Sequence, residues 1–153
     1  MVSHGIAYTE VVSILRSMNY YLNIQGYWAD VNRHSIPCIT GVYFVFACIY
    51  NPMPNTVTLK RLLYIGQAID VNSRIAVHDK RPVWASMLAL GETVCYSVAA
   101  VDGRSLDTVE AALVYKLRPP TNELLTRYYS HAPCALTIMG QWPYPYLTYF
   151  NVP

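Results

Sequence analysis

At 153 residues the chain has room for one domain with a sizeable core. Hydrophobic residues make up 54% and charged residues 13%, which excludes a disordered chain, and a net charge of +2 is by itself weak ground for nucleic-acid binding. The longest apolar run, Gly41 to Tyr50, is too short to span a bilayer.

Distribution says more than totals. Ten of the eleven basic residues fall between Arg33 and Arg127 against seven acids, a local balance of about +3 that can line one groove. Fourteen tyrosines supply surface that stacks and hydrogen-bonds. Cys38, Cys48, Cys95 and Cys134 are widely spaced and form no CxxC pair, which predicts reduced thiols in a cytoplasmic protein rather than a structural zinc site. Glu10 and Arg16 interrupt the N-terminal hydrophobic pattern, so no signal peptide is read there.

Val11, Val12, Leu15, Met18 and Leu22 recur at helical spacing, with Thr9 as N-cap and Gly26 as stop. Asp30 to Ser35 reads as a polar linker, closing an N-terminal helical extension over residues 1–35. Ile39 to Tyr50 is β-branched and aromatic and reads as a buried strand. Asn51-Pro52-Met53-Pro54-Asn55 turns the chain, and Leu62 to Gly66 reads as the partner strand of a hairpin. Asp70 is suited to cap a helix from about Val71 to Lys80, which would put Arg74 and His78 on one face. Arg81-Pro82 breaks it, and Pro82 to Leu90 reads as a short helix closed by Gly91. Thr93 to Val101 is a third strand, Asp102-Gly103 a turn, and Ser105 to Leu117 a helix ending before Pro119-Pro120. Residues 124–153 form an aromatic extension expected to pack on the core. Ala135 to Met139 and Tyr146 to Val152 read there as edge strands, with Trp142, Tyr144, Tyr146 and Tyr149 available for substrate choice or dimerisation.

Several side chains in this apolar chain carry phosphate or metal chemistry. Glu110 shares a stripe with Leu113, Val114 and Leu117, and a carboxylate on a core-facing stripe must be paired, bind a cation or line a cleft. It suits a hard divalent metal; alternatively, Asp107-x-x-Glu110 is a capping box. Arg74 has the planar fork for a phosphodiester oxygen, or is a solvated partner of Asp70. His78 can exchange a proton with a phosphate or leaving group, or be structural. Tyr43 and Tyr64, on neighbouring strands, are packing residues unless their hydroxyls converge. Asn122 can hold a loop by its amide or simply favour a turn.

Taken together the order is specific. Gly41-Val42-Tyr43 is followed by Tyr64-Ile65-Gly66, Arg74 ten residues after Tyr64, His78 four further on, then Glu110 and, twelve later, Asn122. This resembles the active-site pattern of the GIY-YIG nuclease family over roughly residues 38–123, with Tyr64 to Arg74 the most specific piece. The resemblance implies an α+β domain over 36–123 built on a small three-stranded, mostly antiparallel sheet flanked by helices. It implies a metal-dependent DNA endonuclease using Mg²⁺ or Mn²⁺, with Glu110 as metal ligand and Tyr43, in preference to Tyr64, as the base that activates water. Tyr64 would position the phosphate, Arg74 would bind it, His78 would assist nearby, and Asn122 would stabilise the active-site loops.

The chain departs from the family pattern in two places. The tyrosine motifs are 21 residues apart, wider than the family's usual hairpin and similar to restriction-type members. Gln67 stands where many members carry lysine, so no phosphate contact is expected from it. One site cuts one strand, so a double-strand cut at a palindrome requires a homodimer or sequential nicking. The competing readings are a repair or mobile-element nuclease acting on structured DNA, and a nucleic-acid-binding or oligomerising domain without catalysis.

Overall fold

The structure is a computed structural model, describing residues 18–123, 126, 128–143 and 145–153. Its centre is β2 (Gly41–Asn51), whose sequence is apolar at nearly every position because both faces of the strand are covered. Val42, Phe44, Phe46 and Cys48 face one core, while Tyr43, Val45 and Ala47 face a second. β3 (Thr56–Ala68) returns antiparallel through the proline-containing turn, and β4 (Thr93–Ala100) pairs antiparallel with the other edge of β2.

These three strands do not form the whole sheet. β1 (Met18–Ala29) pairs antiparallel with β4 and parallel with β5 (Cys134–Gly140), and β5 pairs antiparallel with β6 (Tyr149–Val152). The result is one six-stranded mixed sheet in the order β3-β2-β4-β1-β5-β6. It replaces the small three-stranded sheet flanked by helices expected from the sequence.

The correction begins at the N-terminal segment. Met18 and Leu22, read as a helical stripe, lie on β1, where Leu22 and Ile24 point into the core while Asn19, Tyr21, Asn23 and Gln25 are exposed. That is a two-residue period. The rest of the proposed helix, including Thr9, Val11, Val12 and Leu15, lies outside the described residues. Asp30–Ser35 is a 3₁₀ segment rather than a linker: Asp30 accepts hydrogen bonds from Arg81 at 2.8 Å and from the Tyr96 hydroxyl at 2.5 Å. β5 lies inside the sheet between β1 and β6, so of the two C-terminal strands β6 alone is at an edge, the opposite edge being β3.

Among the described residues, three α-helices cover the two faces. α1 (Val71–Ala76) and α2 (Arg81–Ser86) bury Val71, Ile75 and Trp84 against the core that contains Tyr43 and Tyr96. α3 (Leu106–Leu117) buries Leu106, Val109 and Leu113 on the opposite face. Beside α3, Trp142 packs edge-on against Phe44 at 5.0 Å, and Tyr146 against Phe46 at 6.3 Å. Tyr144, grouped with these from the sequence, lies outside the described residues. Among the described residues, no helix is long and apolar enough to cross a membrane.

Candidate active site

The two tyrosine motifs meet because β2 and β3 are in register, with Tyr43 opposite Gly66 and Gly41 opposite Ala68. Both glycines are steric requirements. A β-carbon on Gly41 would collide with the Ala99 carbonyl on β4, and one on Gly66 would enter the Tyr43 ring. The Tyr43 phenol therefore lies across β3, with its ring centroid 6.1 Å from that of Tyr64.

Asp70 caps α1 as the sequence predicts, accepting from the Ser73 amide at 3.3 Å and from its hydroxyl at 2.9 Å. The helix then stops earlier than expected, at Ala76. Arg74 and His78 are therefore not neighbours on one helical face. His78 lies in the following turn with its side chain fully buried, and its Nε2 is 2.7 Å from the Tyr43 hydroxyl. Its ring packs against Trp84 at 4.5 Å and Tyr64 at 5.3 Å. Arg74 instead holds the exposed carboxylate of Asp79 at 2.8 Å. That is an anion occupying part of its fork, where a phosphate oxygen would compete.

Glu110 projects from the second turn of α3, too far along to cap it, since the helix begins at Leu106 with Ser105 as N-cap. Its charge is one of the influences that hold both phenols above their ordinary range. Gln67 sits beside it, donating to Asp107 at 2.6 Å and favouring the ionised form of Glu110. Asn122 folds back onto β3. Its Oδ1 accepts from the Ile65 amide at 2.9 Å, and its Nδ2 donates to the Ile65 carbonyl at 2.8 Å. Thr121 donates both its hydroxyl, at 2.6 Å, and its amide, at 3.1 Å, to the Leu63 carbonyl, so this loop closes the open edge of β3 behind the second motif.

Electrostatics divides these groups. Burial pushes the Tyr43 hydroxyl well above the ordinary phenol range; Tyr64 and Glu110 add to the shift, and Arg74 opposes it. Tyr64 is raised by burial and then by Glu110, again against Arg74. It is the less buried of the two, so its hydroxyl is the more open to a substrate, whereas Tyr43 is 1% exposed. Burial lowers His78 to about 4, helped by Arg74 and opposed by Asp79. Burial also pushes Glu110 up to about 7, with Gln67 opposing and Asp107 adding.

Glu110 has no Lys or Arg partner among the described residues, and no cluster of three or more His, Cys, Asp or Glu side chains gathers around it. A half-shielded carboxylate that resists ionisation and lacks a counter-charge fits a hard cation held mainly by water and substrate. Sequence reading missed Trp84, whose ring supports both His78 and Tyr64, and Asp79, which engages Arg74. Trp84 had no local signal, while Asp79, beside His78 and five residues after Arg74, was visible as a charge partner.

The chain matches no protein-family model, and no curated protein or solved structure is similar to it at a significant level.

Proposed function

We propose that the chain is a metal-dependent endonuclease of the GIY-YIG type that hydrolyses DNA phosphodiester bonds, in the manner of restriction-type members. The observation that carries the reading is the contact of Tyr43 on β2 with Tyr64 on β3, 6.1 Å between rings, and with His78 after α1, 2.7 Å from the Tyr43 hydroxyl; Arg74 on α1 and Glu110 on α3 are the charges that bear on both phenols.

In this reading Arg74 exchanges Asp79 for the scissile phosphate and stabilises the charge that builds on its oxygens. Tyr64, the more open phenol, stands at the substrate side and Tyr43 behind it. One of the pair takes the proton of the attacking water as the water oxygen bonds to phosphorus. The P–O3′ bond breaks, the departing O3′ takes a proton from solvent water, and the products carry a 5′-phosphate and a 3′-hydroxyl. Neither phenol ionises readily in the resting site, because burial and the Glu110 charge both oppose it. A divalent cation held by Glu110 would supply the missing positive charge, turning the neighbour that raises both phenols into one that lowers them. Asn122 keeps the second motif in place through both polar groups of the Ile65 backbone.

The test is incubation of plasmid DNA with Mg²⁺ or Mn²⁺, comparing the wild type with Glu110→Ala. Metal-dependent nicking or linearisation by the wild type alone is expected. No cleavage across varied duplex and structured substrates sinks the reading, and cleavage unaffected by Glu110→Ala sinks the site. Sequencing the ends separates a site-specific enzyme from one that reads DNA structure.

A further inference from the structure

We infer that His78 is a neutral positioning residue, a permanent Nε2–H donor to the Tyr43 hydroxyl oxygen that neither gives nor takes a proton during catalysis. The geometry leaves one arrangement. The backbone amide of Lys80 lies 3.1 Å from His78 Nδ1, and an amide N–H can only donate, so Nδ1 is the acceptor. A neutral imidazole with an unprotonated Nδ1 carries its hydrogen on Nε2. Nε2 stands 2.7 Å from the Tyr43 hydroxyl, which must therefore be the acceptor in this contact. Tyr43 is left with its own hydrogen to direct elsewhere, and with a fixed donor facing its oxygen lone pair.

A second proton on the ring would have to enter at Nδ1, against the Lys80 amide at 3.1 Å, with the Asp79 carboxylate 3.5 Å from the same atom as its one favourable neighbour. The surroundings also resist it. The side chain is fully buried, packed against Trp84 from α2 and Tyr64 from β3, which also touch each other. The charged groups around it are Arg74 from α1, Lys80 and Arg81 at the start of α2, and Asp79, the one group that favours protonation. Three positive neighbours oppose one carboxylate. His78 thus does for Tyr43 what a backbone amide does for an oxyanion: it holds the oxygen in place and favours its negative form without being consumed.

The structural half of this inference stands apart from the nuclease reading, and its catalytic half rests on it. Long-range ¹H–¹⁵N NMR of the full chain is expected to find His78 as the Nε2–H tautomer from about pH 5 to about pH 8. An Nδ1–H tautomer, or a charged ring at neutral pH, overturns the inference whether or not DNA is cut. In cleavage assays, His78→Gln restores an amide donor near the Nε2 position without a titrating group, and is expected to stay within about tenfold of wild type. His78→Phe is expected to lose on the order of a hundredfold or more. If His78→Gln, shown to be folded, falls as far as His78→Phe, His78 transfers protons and the inference fails. A wild type that cuts nothing removes the nuclease reading, and the tautomer still decides the hydrogen bond.

Discussion

The Tyr43 phenol passes over Gly66, close enough that a β-carbon on the glycine would fall against the ring and its hydroxyl. The last residue of one motif and the last of the other are thus a single contact, made between cross-strand partners. Gly66→Ala is expected to destabilise the protein by about 1–3 kcal/mol, the usual cost of overpacking. It should also reduce cleavage by displacing Tyr43. Thermal denaturation and an activity assay check both, and a variant as stable as wild type would mean that Tyr43 has room to move.

Glu110 gives a pH signature of known sign. Folding raises it from 4.5 to about 7, so the folded protein binds the extra proton in that interval. Its contribution is most favourable below the lower value and is lost as pH rises through the upper one. Glu110→Gln is therefore expected to abolish metal-dependent cleavage yet stabilise the apo protein by roughly 1–3 kcal/mol near pH 8. Mg²⁺ should raise the melting temperature of the wild type and leave the variant unchanged. A Gln variant less stable than wild type at alkaline pH contradicts the placement of this carboxyl.

Asn122 satisfies both polar groups of Ile65. Asn122→Ala leaves an amide and a carbonyl of an edge strand without protein partners and is expected to cost about 1–3 kcal/mol. Asn122→Asp keeps the acceptor but turns an oxygen toward the Ile65 carbonyl, so it should do no better. Urea unfolding of the two variants measures this, and an Asp variant of wild-type stability would remove the role given to the amide.

Arg74 and Asp79 form an exposed pair, with 39% and 76% of their side chains accessible, so solvent screens the pair and it contributes little to stability. Arg74→Ala should leave stability nearly unchanged while lowering cleavage on the order of 10²–10³-fold, as expected for loss of a charge stabiliser. Asp79→Asn, which frees the guanidinium, should lower KM for DNA. An unchanged KM in that variant would show that Asp79 does not compete with the substrate.

Local signals carried the reading only where partners are close in sequence. The buried run around Phe44, the proline turn, the strand from Thr93 and the stripe of Leu106, Val109 and Leu113 all reappear as β2, the hairpin, β4 and α3. Of the polar set read from its order, Tyr43, Tyr64 and His78 are in contact, while Asn122 binds the Ile65 backbone and Arg74 binds Asp79. β1 was misread because Met18 and Leu22 continue a helical spacing begun upstream, although the alternation of Leu22 and Ile24 with Asn19, Tyr21, Asn23 and Gln25 was there to be counted. The width of the sheet was hidden for a different reason. β1 pairs with segments that begin at Thr93 and Cys134, and no local pattern announces a partner so distant. His78 was placed on a helix face because the end of α1 at Ala76 has no proline or glycine to mark it.

The position of β1 has a consequence for how the molecule assembles. The β2–β3 hairpin and its pairing with β4 involve nearby chain and can form early, whereas β1 is emitted first and needs both β4 and the parallel strand β5. Such non-local and parallel pairing is slow, because loop closure must precede the contacts that reward it. On a ribosome, Leu22 and Ile24 would wait unpartnered until their β5 partners, Ile138 and Gly140, had emerged. The half of the sheet that carries the candidate chemistry can thus form first, and the half that encloses it on the far side of β4 is the last to lock.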